Sequence, residues 1–353
     1  MIKSVKLNNF MNYESFSSEK FSGINVFIGK NDTGKTGLLK LLYASAKSVE
    51  EFSLKSRTND PVLKKILAEK LQNTFQPGKK GLGELVRKPV KDKLITDIEF
   101  RHPWTNYRDR LHFSFGESTT TTITDCQDKI SELDSRCKVL FVPAKEVLTA
   151  LKAIRATRDN LHMTGFDDTY LDLIRSLVLP PVSGKTTFEL KDVKSKLEDL
   201  FEGHIEPDSD DDFVFVKNRN QFPMQLTAEG IKKIGILHVL IRNRQLSQNS
   251  ILFMDEPETA LHPSAIRELA DMLMLMSKAG VQIFLATHSY FMLKQLHLSS
   301  RQFEVDSLCY ELRQSQSGIV SQRHDLRTSI PENEISEEAI KMADQQLDLD
   351  LNS

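Results

Sequence analysis

Short, largely apolar runs, closed abruptly by turns or acids, mark the buried strands of this chain. They fall at residues 24–28, 139–142, 251–254 and 281–286, with Asn25 and Gln282 as the polar exceptions. Runs of this kind fit strands covered on both faces. A second pattern alternates apolar with polar residues across 94–100, 110–115 and 119–124, and predicts two or three half-buried strands. Helical spacing appears over 36–48, 145–177, 188–201 and 333–347. Asp60 and Pro61 suit the cap and first turn of a further helix through residue 75, with Leu63, Ile66, Leu67 and Leu71 on one stripe. Residues 76–81 read as a loop and 206–212 as an acidic turn leading to a strand at 213–216. Residues 303–312 read as strand, with a return strand at 319–322. Strands interleaved with helices imply an α/β fold.

The strand at 24–28 runs into Gly29, Lys30, Asn31, Asp32, Thr33, Gly34, Lys35 and Thr36, then Gly37 and a helix. This is a complete G-x-x-x-x-G-K-[ST] loop in strand-to-helix context. The glycines permit a tight turn whose N–H groups point inward, and the helix N-terminus adds positive potential, so the loop is built for a triphosphate. Lys35 is expected to reach the β- and γ-phosphates, and the Thr36 hydroxyl to take one Mg²⁺ position. Ser183-Gly184-Lys185-Thr186 imitates the end of this motif, but Leu179 stands where its first glycine belongs, so it reads as a turn.

The strand at 251–254 ends in Asp255 and Glu256. Asp255 is expected to hold Mg²⁺ opposite Thr36, usually through water, leaving Glu256 to orient or deprotonate an attacking water. The strand at 281–286 ends in Thr287-His288-Ser289, which places His288 within reach of a γ-phosphate.

The loop, the run D-E-P-E-T-A-L-H-P from Asp255 to Pro263 and the A-T-H-S at Ala286 to Ser289 together resemble the ABC-type ATPases, in the RecF/SMC/OLD-like branch. Residues 2–10 are similar to that branch's first strand. The resemblance implies a P-loop head with a mixed central sheet, helices on both sides, and a helical arm between the loop and a later signature element. It implies ATP and Mg²⁺ as ligands, catalytic roles for Lys35, Glu256 and His288, and a head-to-tail homodimer enclosing two ATP molecules. His288 would then be the switch histidine, and residues 258–262 the loop crossing to the partner site. The whole chain reads as one such head, with 50–135 and 145–205 as inserts and 303–353 as a C-terminal extension.

Two departures stand out. The branch's trans signature is L-S-x-G at a helix start, whereas this chain offers Thr227, Ala228, Glu229 and Gly230. Aligning Gly230 puts Ala228 where a serine hydroxyl would meet the opposite phosphate, and the alternative is an ordinary helix capped by Thr227. Asp32 takes a loop position often held by glycine, which an aspartate can occupy because it tolerates left-handed angles.

Composition narrows the setting. Lys and Arg number 47 against 49 Asp and Glu, so no global basic field points to nucleic acid. Two local clusters do mix cations with aromatics: Lys79 to Lys93 followed by Arg101, Trp104, Tyr107, Arg108 and Arg110, and the helical set Lys145, Lys152, Arg155 and Arg158. They suit either a polyanion or a solvated surface. Three cysteines without a C-x-x-C pair, no apolar run long enough to cross a bilayer and no secretory leader suggest a cytoplasmic protein. No sustained heptads follow the loop, unlike SMC arms. The D-x-D at Asp348–Asp350 lies in a polar tail, expected to be disordered or to dock, and no metal-dependent nuclease domain is visible beyond His288. The expected function is an ATPase regulating a separate effector, a nuclease or toxin in anti-phage defence, by family analogy. The alternatives are a DNA-repair ATPase that grips DNA and a nucleotide-binding scaffold with negligible turnover.

Overall fold

The computed structural model describes residues 1–55, 62–89, 91–101, 108–130, 137–161, 163–180, 187–208 and 212–351. A hairpin of β1 (Ile2–Phe10) and β2 (Tyr13–Ser18) leads to β3 (Ile24–Ile28) and α1 (Lys35–Lys55). After α2 (Leu63–Phe75) come β4 (Leu94–Arg101), β5 (Arg108–Phe115), β6 (Asp125–Lys129) and β7 (Val139–Val142). Helices α3 (Leu151–Arg155), α4 (Asp168–Val178) and α5 (Phe188–Phe201) precede a small sheet of β8 (His204–Pro207), β9 (Phe213–Lys217) and β10 (Asn220–Pro223). Then follow α6 (Glu229–Arg242), β11 (Ile251–Asp255), α7 (Pro263–Lys278), β12 (Gln282–Thr287) and α8 (Tyr290–Gln302). The chain closes with β13 (Ser307–Ser315), β14 (Gly318–Asp325) and α9 (Glu334–Leu351).

Among the described residues the main sheet runs β6-β5-β4-β1-β2-β14-β13-β3-β12-β11-β7. Its half from β13 to β7 is parallel, and its β6-to-β2 half is antiparallel. Alternation along the parallel strands sends side chains to two cores. Val26, Leu252, Met254, Ile283 and Leu285 face one cluster with α6, α7 and α8. Phe27, Phe253 and Phe284 face the other, beneath α1. There Phe253 and Phe284 stack at 5.0 Å, and Tyr43 of α1 meets Phe141 edge-on at 5.3 Å. Burying so many aromatic faces fixes α1, and with it the loop that precedes it.

α4 is held to α1 by polar contacts that burial makes obligatory. Lys40 pairs with Asp167 at 2.6 Å, and the Tyr43 hydroxyl donates to Asp172 at 2.6 Å. Lys70 of α2, itself buried, lies within 3.0 Å of Glu51, Asp168 and Asp172. Charges taken out of water persist only when paired in this way.

Several sequence expectations need correction. Residues 119–124 are not a strand, because the Thr119 and Thr120 carbonyls accept from the Gly83 and Leu82 N–H groups; the third strand is β6. Residues 78–85, expected in part as loop, form tight 3₁₀ turns broken at Gly81. The helix expected over 145–177 divides into α3, a π-turn at 156–160 and α4, separated around Gly165 with its φ of +131°. β13 starts only at Ser307, since α8 continues to Gln302. Asp348–Asp350, expected in a tail that is disordered or docks, lies in α9. The Asp60-Pro61 cap and the turn at 183–186 lie outside the described residues, as do Trp104 and Tyr107.

Candidate functional site

The parallel register assembles the site. Thr287 of β12 pairs with Ile28 of β3, and Ala286 pairs with Asp255 of β11. The strand ends therefore lie side by side at one edge, the carboxyl edge at which α/β sheets bind ligands.

The loop from Gly29 to Thr36 turns through left-handed angles at Gly29 (φ +151°), Asp32 (φ +67°) and Gly34 (φ +75°). Asp32 thus adopts the geometry expected of it. A Cβ at Gly29 would collide with the Leu312 carbonyl of β13, and one at Gly34 would lie 2.7 Å from the Tyr13 ring. Tyr13 also donates to the Thr33 carbonyl at 3.1 Å, so a strand that precedes the loop moulds it from below. Thr33 closes the turn internally by donating to Lys30 at 2.9 Å.

The Lys35 ammonium lies across the mouth of the loop, donating to the Gly29 and Lys30 carbonyls at 2.8 and 2.7 Å. Burial lowers its pKa, and the carboxylates of Glu256, Asp255 and Glu258 oppose that shift. The Thr36 hydroxyl stands 3.0 Å from both oxygens of Asp255. Burial raises the Asp255 pKa, with Glu256 adding to the rise and Thr36 opposing it. This set of hard oxygen donors suits Mg²⁺, which would take its remaining ligands from phosphate and water.

Glu256 leaves the strand in a left-handed conformation (φ +45°), its N–H donating to Ala286 at 2.9 Å. Its carboxylate is turned to His288, with Nδ1 2.9 Å from Oε1. Glu258 points inward instead. Its Oε1 accepts from Thr287 at 2.5 Å while its buried Oε2 has no partner among the described residues, and burial raises its pKa. Thr287 in turn accepts from the Ser289 N–H at 3.0 Å, which fixes the turn carrying His288.

Two residues escaped the sequence reading. One is Tyr13. The other is Lys233 of α6, buried, donating at 2.7 Å to the carbonyls of both Ala144 and Glu256. Its pKa is lowered by burial, against the pull of Glu258, Asp255 and Glu256. Helical spacing alone gave no signal, since Lys232 and Lys233 look like surface residues; a lysine three positions after Gly230 was the available hint.

The candidate signature behaves differently from a Thr227-capped helix. The cap position is Ala228, extended and without a side-chain bond, while the Thr227 hydroxyl donates to Pro223 at 3.1 Å. The first N–H groups of α6 therefore receive no cap from Ala228. Gly230 packs against the chain's own 258–262 loop, where an added Cβ would lie 3.1 Å from Leu261 Cδ2 and 3.4 Å from the Ala260 carbonyl. Ala260 itself sits at φ +66°.

Several cations of the basic clusters meet carboxylates of the chain itself. Arg110 is bidentate to Asp97, Lys80 and Lys88 flank Glu84, Lys152 meets Asp212, and Arg158 meets Asp168. Among the described residues no helix is long and apolar enough to cross a membrane.

Fold and site define an ABC-type ATPase head of the RecF/SMC/OLD branch. The chain belongs to the family described as AAA domain, putative AbiEii toxin, Type IV TA system, which matches residues 24–294. It is 42% identical over 52 residues to the Old nuclease of Escherichia phage P2, covering 15% of this chain and 9% of that protein. It is 55% identical over 42 residues to the DNA replication and repair protein RecF of Clostridium novyi (strain NT), covering 12% of each. A second RecF, from Clostridium kluyveri, is 33% identical over 93 residues, 23% of this chain and 26% of that one. The chain thus matches only a tenth to a quarter of these curated relatives. Among solved structures, the Smc head bound to the C-winged helix domain of ScpA superposes with a TM-score of 0.56 at 11% identity, over 93% of this chain and 98% of that one. The Smc head with an extended coiled coil bound to the C-terminal domain of ScpA, derived from Pyrococcus furiosus, gives 0.53 at 11% identity, over 98% of each.

Proposed function

We propose that this chain binds and hydrolyses ATP, closes head-to-tail with a second copy around two ATP molecules, and regulates a separately encoded effector in anti-phage defence. The observation that carries the catalytic part is the convergence of Lys35, Thr36, Asp255, Glu256 and His288 on one edge of the sheet. In this reading the loop N–H groups and Lys35 hold the phosphates. Thr36 and Asp255 would hold Mg²⁺, which would supply positive charge to the phosphates. Glu256 takes the proton of the attacking water, with His288 keeping its carboxylate aimed outward and meeting the γ-phosphate through its other ring nitrogen. Lys233 and Glu258 hold the two turns that carry this pair.

The uncapped start of α6 and its contact with the 258–262 loop support the paired state, since free N–H groups at a helix end suit an opposing phosphate. The effector role rests on the family's description as a putative toxin and on the Old nuclease match. The RecF matches favour a second reading, ATP-dependent gripping of DNA. ATPase assays with DNA, and with the products of neighbouring genes, separate the two. Stimulation by a partner and not by DNA supports regulation, and phage plating should then depend on Lys35. Stimulation by DNA alone would replace this reading with the second. Absence of turnover under every condition would leave only a nucleotide-binding scaffold.

A further inference from the structure

α9 lies beyond the family match and is rooted beside the nucleotide loop. The Leu312 carbonyl of β13 abuts Gly29, and the next residue, Arg313, donates to the Glu332 carbonyl at 2.8 Å, two residues before α9. The root of α9 is thus tied to the strand that abuts the loop.

Past Ala339 the helix leaves its own domain, and every described side chain from Ile340 onward is exposed. Ile340, Leu347 and Leu351 share one face by their spacing of seven and four, with Leu351 83% exposed. Asp344 and Asp348 lie along one side of this stripe by the same helical spacing. In proteins helical stability comes mostly from packing an apolar face, so the exposed stripe calls for a cover. Its acidic flanks disfavour both nucleic acid and anionic lipid, which repel carboxylates. A protein surface with apolar and basic residues remains.

Such a surface exists on the chain itself, at its signature side. Leu226 is 80% exposed and Phe222 41% exposed, both within a few residues of Ala228. The turn between β9 and β10 adds the exposed Arg219, next to Lys217, which already pairs with Glu202 at 2.6 Å. In a head-to-tail pair the loop of one copy faces the Thr227–Gly230 segment of the other. α9, rooted at the loop, then rises beside the opposite copy's Leu226. Its exposed stretch spans about 18 Å at 1.5 Å per residue, enough to cross such a hairpin.

We propose that α9 is a clasp: its Ile340, Leu347 and Leu351 face covers Phe222 and Leu226 of a second copy, with Asp344 and Asp348 toward Arg219 of the β9–β10 turn. The clasp rests on the head-to-tail reading above. It confines the second copy to the ATP-bound pair and makes closure cooperative with docking of α9.

The test uses the full chain carrying Glu256→Gln, whose ATP-dependent dimer is followed by light scattering across a dilution series. Adding Ile340→Gln, Leu347→Gln and Leu351→Gln should raise the dimer Kd by about tenfold or more, since a few apolar anchors dominate such contacts. ATP affinity of the monomer should not change, because these side chains are exposed. Phe222→Gln with Leu226→Gln should have a similar effect, and combining both sets should add little. Equal dimer Kd values for the α9 variant and its parent would overturn the clasp while leaving the ATP sandwich intact. A parent that stays monomeric with ATP removes both. As a second reading, Leu347→Cys in one tagged copy and Leu226→Cys in another should crosslink only with ATP; crosslinking without ATP, or none in a confirmed dimer, overturns the proposal.

Discussion

His288 reaches Glu256 from the end of the neighbouring parallel strand, Nδ1 to Oε1 at 2.9 Å, although 31 residues separate them in sequence by their numbers. The pairing needs β11 and β12 in their observed register, and it needs Glu256 in a left-handed conformation that turns its side chain out of the strand. Such a conformation in a non-glycine residue costs on the order of 1 kcal/mol, and its persistence at a site is consistent with a working role. The bonds from Lys233 to the Glu256 carbonyl and from Glu256 to Ala286 offset that cost.

Replacing Glu256 with Gln should preserve ATP binding while slowing hydrolysis by about 100-fold or more, because the amide keeps size but loses basicity. The ATP-bound dimer should accumulate. His288→Ala should reduce kcat with a smaller effect on KM. Single-turnover assays check both, and wild-type turnover by Glu256→Gln would remove Glu256 from the catalytic role.

Lys35→Ala should abolish measurable nucleotide binding. A buried ammonium that spans the loop supplies charge-assisted bonds of roughly 3 kcal/mol, or about two orders of magnitude in affinity. Calorimetric titration with ATP measures this directly. Affinity within a few-fold of wild type would contradict the assignment of the loop.

Gly230→Asp should impair ATP-driven pairing while sparing ATP binding to the monomer, since a carboxylate opposite a γ-phosphate costs several kcal/mol. The contact with Leu261 means that any Cβ here also disturbs packing. Gly230→Ala isolates that effect. If the alanine and aspartate variants weaken the dimer equally, charge is not the cause and the signature assignment fails.

Asp255→Asn should stabilise the nucleotide-free protein at neutral pH, by roughly 2 °C in Tm, while disabling hydrolysis. The sign follows from burial. A carboxyl whose folded pKa is raised contributes stability below its unfolded pKa and loses it as pH rises through the folded value. At neutral pH the wild type therefore carries a buried charge, offset only in part by Thr36, that asparagine lacks. Thermal melts from acidic to neutral pH should show the two proteins converging as pH falls; a variant less stable at every pH contradicts this.

What the sequence revealed follows from where each signal lived. β11 and β12 were legible because they are apolar on both faces, and the loop because glycine and lysine spacing is dictated by backbone geometry. β2 was not, since Tyr13, Phe16 and Ser18 alternate with polar residues in a run too short and polar to notice, yet all three are buried. The threonines at 119–122 look like strand and are drawn into a loop by carbonyl bonds to the segment at 82–83. The contacts of Tyr13 with Gly34, and of Lys233 with Glu256, join residues distant in sequence, so no local pattern could announce them.

The close approach of β13 to Gly29 gives the loop a mechanical neighbour. Because the Leu312 carbonyl leaves no room for even a methyl group, the loop and this strand must shift together or not at all. Tyr310 stacks on Phe27 one strand away, and β14 is paired to β13 along its whole length. A displacement at Gly29 therefore travels as rigid motion of a two-stranded lever, which at Arg313, the residue after Leu312, carries the contact to Glu332. Whatever grips the C-terminal helix has a hand on the phosphate loop, and any tag or fusion attached there loads the same lever.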